Sequence, residues 1–367
     1  MPYAHITGWG MSVPEKVLTN EEIAQRVDTS DQWIREMTGI RERRIARDRE
    51  FPSTLAVEAS IQALNVASLK PTDVDLIICA TSSPEYIFPA TACLIQDQLG
   101  ATKAGAFDLS AACTGFIYAL NMGAQAIRSG SIKNALVIGA ETLSRFVDWK
   151  DRKTCILFGD GAGAFVLQAS ATPGGVLSAV MHSDGSGGDL LSLSGGGSRH
   201  PATEQTVRDG RHYIHMDGRE VFRFATRVMG QAAREALELA GLTTADVQWI
   251  IPHQANFRII ETAAKYLKLP LERFVINVDR YGNTSTASIP IAAVEAFQKG
   301  MLKSGDKVVL VGFGAGLTWG ALAAEWTGPL PLERPVRAER YRTWARARSL
   351  LRRLLRFVEG LIWGRNS

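Results

Sequence analysis

The chain repeats one order of elements, and this repetition limits its possible folds more than any other feature. "DVDLIICATS" (73–82) lies over "DVQWIIPHQA" (246–255) at a spacing of 173 residues. "SAACTGFIYALNMGAQAIRSG" (110–130) lies over "RYGNTSTASIPIAAVEAFQKG" (280–300) at a spacing of 170, matching Ala126 with Ala296 and Gly130 with Gly300. Strand-like "NALVIGAE" and "DKVVLVGFG" follow the two helical stretches. A duplicated α/β unit with two sheets is the economical reading. Short apolar runs at 75–80, 104–109, 135–140, 248–252, 273–278 and 307–312 read as buried strands alternating with helices. Thr19 to Glu22 and Ser53 read as helix N-caps, and Gly100, Gly130, Gly241 and Gly300 as C′ residues. The expected division is 1–170, 171–328 and a tail from 329 to 367.

Charge sets the tail apart. The whole chain carries +4, but residues 329–367 hold ten Arg, no Lys and three Glu, a net of +7, which leaves about −3 on residues 1–328. Pro331 and Pro335 punctuate the join as a linker would. From Glu339 onward, Trp344, Ala347, Leu351, Leu354, Leu355, Val358, Leu361 and Ile362 recur at helical spacing with Arg on other faces, predicting a basic amphipathic helix. No apolar run reaches membrane-span length. The four cysteines have no metal-ligand or C-x-x-C spacing, and "MPYAHITGWG" has no leader pattern, so a cytoplasmic protein without a metal site is expected.

Chemistry gathers at three strand ends, where ligands of α/β sheets collect. Cys113 in "SAACTGF" stands where a strand meets a helix; unpaired N–H groups and the helix dipole there are expected to favour the thiolate and to supply half of an oxyanion hole. His253 in "IIPHQANFRII" follows a proline that stops its strand. Asn283 in "DRYGNTSTAS" falls opposite Cys113 at the spacing of 170. Cys, His and Asn fit either a cysteine hydrolase or a carbon–carbon condensing enzyme. The papain-type C-G-x-C-W context is absent, which favours condensation.

At these residues the sequence resembles the β-ketoacyl-[acyl-carrier-protein] synthase III family of the thiolase superfamily. "DTSDQWI", "TGIRERRIA", "AACTGF", "FGDGAGA", "PHQANFRII", "GNTSTAS" and "FGAGLTWGA" carry the resemblance from about Ala4 to Trp326. It implies a thiolase-like fold, a five-layer αβαβα sandwich of duplicated βαβ halves, in a homodimer. It implies a Cys113 acyl-enzyme formed from an acyl-CoA, with the backbone N–H groups of Cys113 and Ala315 as oxyanion hole. His253 and Asn283 would hold the enolate left when malonyl-carrier protein loses carbon dioxide. Thr29, Trp33, Arg152, Gly218 and Asn256 would bind CoA, with Trp33 and Arg152 sandwiching adenine. Phe88, Phe158, Leu190 and Phe313 would line the acyl pocket, Phe88 reaching across the dimer interface, and their bulk suggests an acetyl primer. Arg223, Arg258 and Lys265 would receive the acidic carrier protein. No cofactor and no metal are implied beyond CoA thioesters as substrates. Met37 and Arg219 depart from the family pattern, with Arg35 as a possible substitute for an arginine at 37.

Two other functional classes stay open: acyl transfer to an oxygen or nitrogen nucleophile, and a non-enzymatic scaffold. "FGDGAGA" leads into a strand pattern, so it is not a dinucleotide loop. "DGSGGDLLSLSGGGS" (184–198) is expected as a mobile loop over the site. The tail, outside the resemblance, suits an anionic membrane surface, an acidic patch of the body or of another subunit, or carrier protein, with nucleic acid not expected.

Overall fold

The computed structural model describes residues 1–328 and 336–362; Pro331 and Pro335 lie outside them. The strands of the two main sheets are β1 (Tyr3–Ser12), β2 (Leu76–Ala80), β3 (Gly105–Leu109), β4 (Asn134–Thr142), β5 (Asp160–Ser170), β6 (Val176–Ser183), β7 (Trp249–Pro252), β8 (Lys307–Gly314) and β9 (Thr318–Glu325). The main helices are α1 (Pro52–Val66), α2 (Thr91–Leu99), α3 (Gly115–Arg128), α4 (Gly218–Leu239), α5 (Phe257–Leu267), α6 (Ser288–Gln298) and α7 (Glu339–Ile362).

The first sheet runs β1-β5-β4-β2-β3 and the second β6-β9-β8-β7, so the second repeats the first four strands of that order and has no strand equivalent to β3. In each, the two outer pairings on the β1 or β6 side are antiparallel, and β2–β4 or β7–β8 is parallel. Most of these strands are buried on both faces, which is why they read as continuous apolar runs instead of alternating ones. Helices α1 and α2 cover one face of the first sheet, α3 and α6 fill the space between the sheets, and α4 and α5 cover the far face of the second. Five layers result. The central layer is one shared core, in which Phe116 and Leu120 of α3 and Ile289 and Ala293 of α6 pack with Phe165 and Trp326. Burial on this scale is the main stabilising term, at roughly 25 cal/mol for each Å² of apolar surface.

Local signals were legible. Thr19 and Glu22 form a reciprocal capping box, and Gly100, Gly130, Gly241 and Gly300 all adopt positive φ after a helix. Three expectations change. Helix α1 begins at Pro52, so Ser53 is inside the first turn and not its cap. Residues 273–278 do not form a strand: Phe274 makes a single parallel bridge to Ile250, and the chain then enters a short helix at Val278. That bridge occupies the position β3 holds in the first sheet.

The third change concerns register. Turns Ala112–Thr114 and Ser285–Ala287 are equivalent, each opening on a residue with positive φ (Ala112 at 46°, Ser285 at 48°) and each leading directly into a central helix. The spacing of 173 therefore continues through the turns, and Cys113 lies opposite Thr286, not Asn283. Helix α6 has 11 residues against 14 in α3, and this shortening restores the spacing of 170 at Gly130 and Gly300.

Candidate active site

Three chain segments bring Cys113, His253 and Asn283 to one chamber of about 80 Å³, whose wall also includes Phe158, Phe313 and Gly314. Cys113 follows β3, in the turn before α3, and His253 immediately follows β7. Asn283 follows Gly282, whose positive φ of 62° is open to glycine at little steric cost. Gly314 ends β8 against the nucleophile; a Cβ there would stand 2.6 Å from the Cys113 nitrogen, so only glycine lets the strand approach this closely.

Burial dominates the electrostatics. It pushes the Cys113 thiol up to about 12, while the neighbouring Ser285 hydroxyl and the backbone N–H of Cys113 oppose the rise. The expected resting thiolate is thus corrected: the helix start does not outweigh desolvation. Ser285 Oγ is buried and makes no hydrogen bond, so it faces the sulfur as an available donor short of bonding geometry.

His253 is 1% exposed, and burial alone lowers its pKa from 6.5 to about 3, so the ring is neutral at physiological pH. Its Nδ1 lies 2.7 Å from Ser288 Oγ, whereas Nε2 is buried with no partner. With the Ser288 hydroxyl donating to Nδ1, the ring carries its proton on Nε2 and presents it to the chamber. The Phe313 ring meets the imidazole edge-on at 5.3 Å between centroids.

The Asn283 carboxamide is fixed from one end. Its Oδ1 accepts the Ser285 N–H at 2.8 Å, and its backbone is pinned by N–H donation to Leu157 O and acceptance from Gly159 N. The NH₂ end is left to donate. Both groups in the chamber are therefore uncharged donors.

Beneath them, Glu141 at the end of β4 is fully buried and accepts hydrogen bonds from Ser82 N, Ser83 Oγ and Thr286 Oγ1, the last two at 2.6 and 2.9 Å. Burial raises its pKa against the pull of these bonds. This carboxylate ties the first half to the turn that carries Ser285.

Two spaces adjoin the chamber. Outward lies a cleft of about 1030 Å³ lined by Trp33, Met37, Lys153, Gly218, Arg219 and Arg258, with Asn256 on the shared wall. Arg152 does not line it; its guanidinium sits 5.2 Å from the Trp33 ring and bonds Asp28 O, so the pair is closed on itself without room for a third ring. An adenine sandwich requires Arg152 to swing away. Thr29 also lies off the cleft, with a buried, unpartnered hydroxyl. Asn256 is already engaged, capping α5 through Arg258 N and donating to Met37 O. Arg35 pairs with Asp31 at 2.7 Å and does not replace an arginine at 37; Lys153, Arg219 and Arg258 supply the cations of the mouth.

On the other side of Cys113 is a pocket of about 110 Å³ lined by Phe158, Leu143, Leu191, Leu193, Ile214 and Ala315. Leu191, not Leu190, lines it; Leu190 lies in the bend before this short strand, with its side chain beside Gly187. Phe313 belongs to the chamber by His253 and not to this pocket. Phe88 is 84% exposed and lines none of these spaces within one chain. The 184–198 segment does lie over the site, through Leu191, Ser192 and Leu193. Arg223 and Lys265 are paired with Glu220 and Glu261 on their own helices, while Arg258 alone of the three lines the mouth. The sequence reading assigned no role to Ser285, Ser288, Glu141 or Leu191, although Ser285 and Ser288 stand inside the quoted "GNTSTAS".

Comparison with known proteins bears on this arrangement. Residues 107–185 match the family model for 3-oxoacyl-[acyl-carrier-protein (ACP)] synthase III and residues 237–326 its C-terminal counterpart. A β-ketoacyl-[acyl-carrier-protein] synthase III of Symbiobacterium thermophilum is 55% identical over 321 residues, 88% of this chain and 97% of that protein. One from Roseiflexus sp. is 50% identical over 325 residues, 89% of this chain and 99% of that protein. The chain belongs to the β-ketoacyl-ACP synthase III family. The crystal structure of the synthase III from Aquifex aeolicus superposes with a TM-score of 0.81 at 48% identity, over 88% of this chain and 99% of that one. The five layers are thus the thiolase-like fold of synthase III. As a synthase III the chain is a condensing acyltransferase, of the kind that initiates fatty acid synthesis.

Proposed function

We propose that this synthase III joins a short acyl group from an acyl-CoA, acetyl above all, to malonyl-carrier protein in two half-reactions around Cys113. In the first, sulfur attacks the thioester carbonyl; the new C–S bond forms as the CoA sulfur leaves, and the thiol proton ends on CoA. The N–H groups of Cys113 and Ala315 hold the transient oxyanion. A buried neutral thiol suits this exchange, since proton and acyl group move in opposite senses between the two sulfurs and no net charge is left behind. The small pocket beside Cys113, about 110 Å³ and walled by Phe158, Leu143 and Leu191, supports a short acyl group.

In the second half-reaction the malonyl carbon–carboxylate bond breaks, and its electron pair forms an enolate whose oxygen receives hydrogen bonds from His253 Nε2 and Asn283 Nδ2. The enolate carbon attacks the acyl carbonyl, the acyl C–S bond breaks, and Cys113 leaves as a thiolate that takes up one proton from water to restore the thiol. The observation that carries this reading is the buried, unpartnered Nε2 of a neutral histidine. A buried donor without a partner costs about 1–3 kcal/mol, which a substrate oxygen recovers, most of all once it is an oxyanion.

Arg219, Arg258 and Lys153 would meet the CoA phosphates and the acidic carrier protein, with Arg223 and Lys265 adding long-range attraction. Gly218 and Asn256 would flank the pantetheine arm, and Trp33 would stack on adenine once Arg152 opens. Exposed Phe88 fits a homodimer in which it completes the partner's acyl pocket. No cofactor enters this chemistry. The test is incubation with acetyl-CoA and malonyl-carrier protein. An acetyl mass on the Cys113 peptide, then acetoacetyl-carrier protein with release of carbon dioxide, is the expected result; acetylation without condensation would reject it.

A further inference from the structure

Helix α7 lies beyond residue 326, where the family match ends. Its first half is docked. Ala338 and Ala345 are buried against the body, Ser349 Oγ donates to Asp97 at 2.8 Å, and Asn65 bonds both Ala338 N and the Glu339 carboxylate. A Cβ on Gly100, just past α2, would stand 3.1 Å from that of Ala345, so small residues on both sides permit the contact. From Leu350 to Glu359 every residue is exposed, and the helix overhangs the body by about 15 Å at 1.5 Å per residue.

The docking stripe and the apolar stripe point in opposite directions. At 3.6 residues per turn, Ala338, Ala345 and Ser349 share a face, which Arg352 and Arg356 continue outward. Trp344, Leu351, Leu354, Leu355, Val358 and Leu361 occupy the other face, with Trp344 78% and Leu361 69% exposed. The helix is therefore held by its small and polar side and offers its apolar side away from the body. Arginines border that face, and Glu359 is the one acidic residue of the overhang.

We propose that α7 seats the enzyme on an anionic lipid surface, its apolar stripe entering the headgroup boundary and its arginines pairing with lipid phosphates. The combination of leucine-rich face, exposed tryptophan and flanking arginines matches what an interfacial helix needs. No helix among the described residues is long and apolar enough to cross a membrane, so the contact is at the surface. Charge weighs against a second copy as the occupant, because two such stripes would bring arginine borders together without acidic complements. Carrier protein fits less well, since no residue of α7 lines the mouth of the catalytic cleft. The inference does not depend on which acyl group the site accepts.

The test uses the full chain with vesicles of phosphatidylcholine containing 30% phosphatidylglycerol, and with pure phosphatidylcholine as the neutral arm. Binding is expected to the anionic vesicles and to weaken at high salt. Replacing Arg346, Arg348 and Arg353, which flank the apolar face, by Gln should lower partitioning about a hundredfold, at roughly fivefold per charge. Leu351→Asp with Leu355→Asp should abolish it while acyl transfer from acyl-CoA stays at the wild-type rate, which also shows that the body is folded. The proposal is overturned by equal binding of wild type and Leu variants. It is equally overturned if those variants instead dissolve a self-associated species in sedimentation velocity, or raise the KM for malonyl-carrier protein without lipid present.

Discussion

Replacing Asn283 by Asp changes one atom of the site from donor to acceptor and tests the uncharged-donor reasoning directly. Asn283 Oδ1 accepts the Ser285 N–H, so the NH₂ group is the end that faces substrate. An ionised Asp has no donor to offer there and sets a negative charge beside a nascent enolate. Loss of one oxyanion donor costs about 2.7–4 kcal/mol, or 10²–10³ in rate, before repulsion is added. The position is nearly buried, so the new carboxyl should titrate above the ordinary range of about 3.9. Once protonated, Asp has one O–H donor and one carbonyl acceptor and reproduces the amide's pattern. Decarboxylation by Asn283→Asp, as a fraction of wild type, should therefore be lowest near pH 8 and rise as pH falls, by up to about tenfold per unit above that pKa. Carbon dioxide release from malonyl-carrier protein between pH 5 and 8.5 measures it, with Cys113 acetylation by intact mass as the internal control. A variant that decarboxylates normally at pH 8, or loses acetylation in step, would refute the reasoning.

Other consequences follow from the same geometry. His253 binds its proton near 6.5 when unfolded and only near 3 when folded, so its contribution favours unfolding as pH drops from 6.5 toward 3. By pH 5 this amounts to about 2 kcal/mol, and His253→Ala should melt with a shallower dependence on pH over that range; an unchanged slope would contradict the burial argument. Alkylation of Cys113 by iodoacetamide should climb about tenfold per pH unit from 7 to 10, and Ser285→Ala should displace the profile to higher pH; a plateau below pH 9 would show a resting thiolate. Arg258→Glu should raise the KM for malonyl-carrier protein while sparing acetylation, whereas Arg223→Glu, already paired with Glu220 in the parent, should act more weakly.

Much of this was legible in the sequence because buried parallel strands write themselves as unbroken apolar runs, and because Pro252 and Gly282 mark where strand or turn must stop. Cys113 and His253 could be picked out as strand-end residues, whereas Asn283 follows a short helix and not a strand, and was marked only by the Gly282 turn before it. What stayed hidden depends on position in space. Ser288 meets His253 across 35 residues, and Glu141 meets Thr286 across 145; neither separation has a sequence signature. The one-residue error at Leu190 arose because the bend that turns Leu190 toward Gly187 and hands the pocket to Leu191 has no sequence signature. The register error arose because glycines at the helix ends were easier to align than turns at the helix starts, and α6 is shorter than α3 by the intervening residues. The Cys113 pKa was misjudged because a helix start is visible in sequence while the depth of burial is not.

The clasp between Glu141 and the Thr286 turn bears on how such chains can be recombined. A chimaera with its crossover between β5 and β6 would inherit a carboxylate from one parent and its hydroxyl and amide partners from the other. If the two parents differ at either position, a charge is stranded beside the nucleophile even though each parental segment is intact. Crossover libraries should therefore treat positions 141 and 286 as one heritable unit, and placing both on the same parental block should recover active progeny.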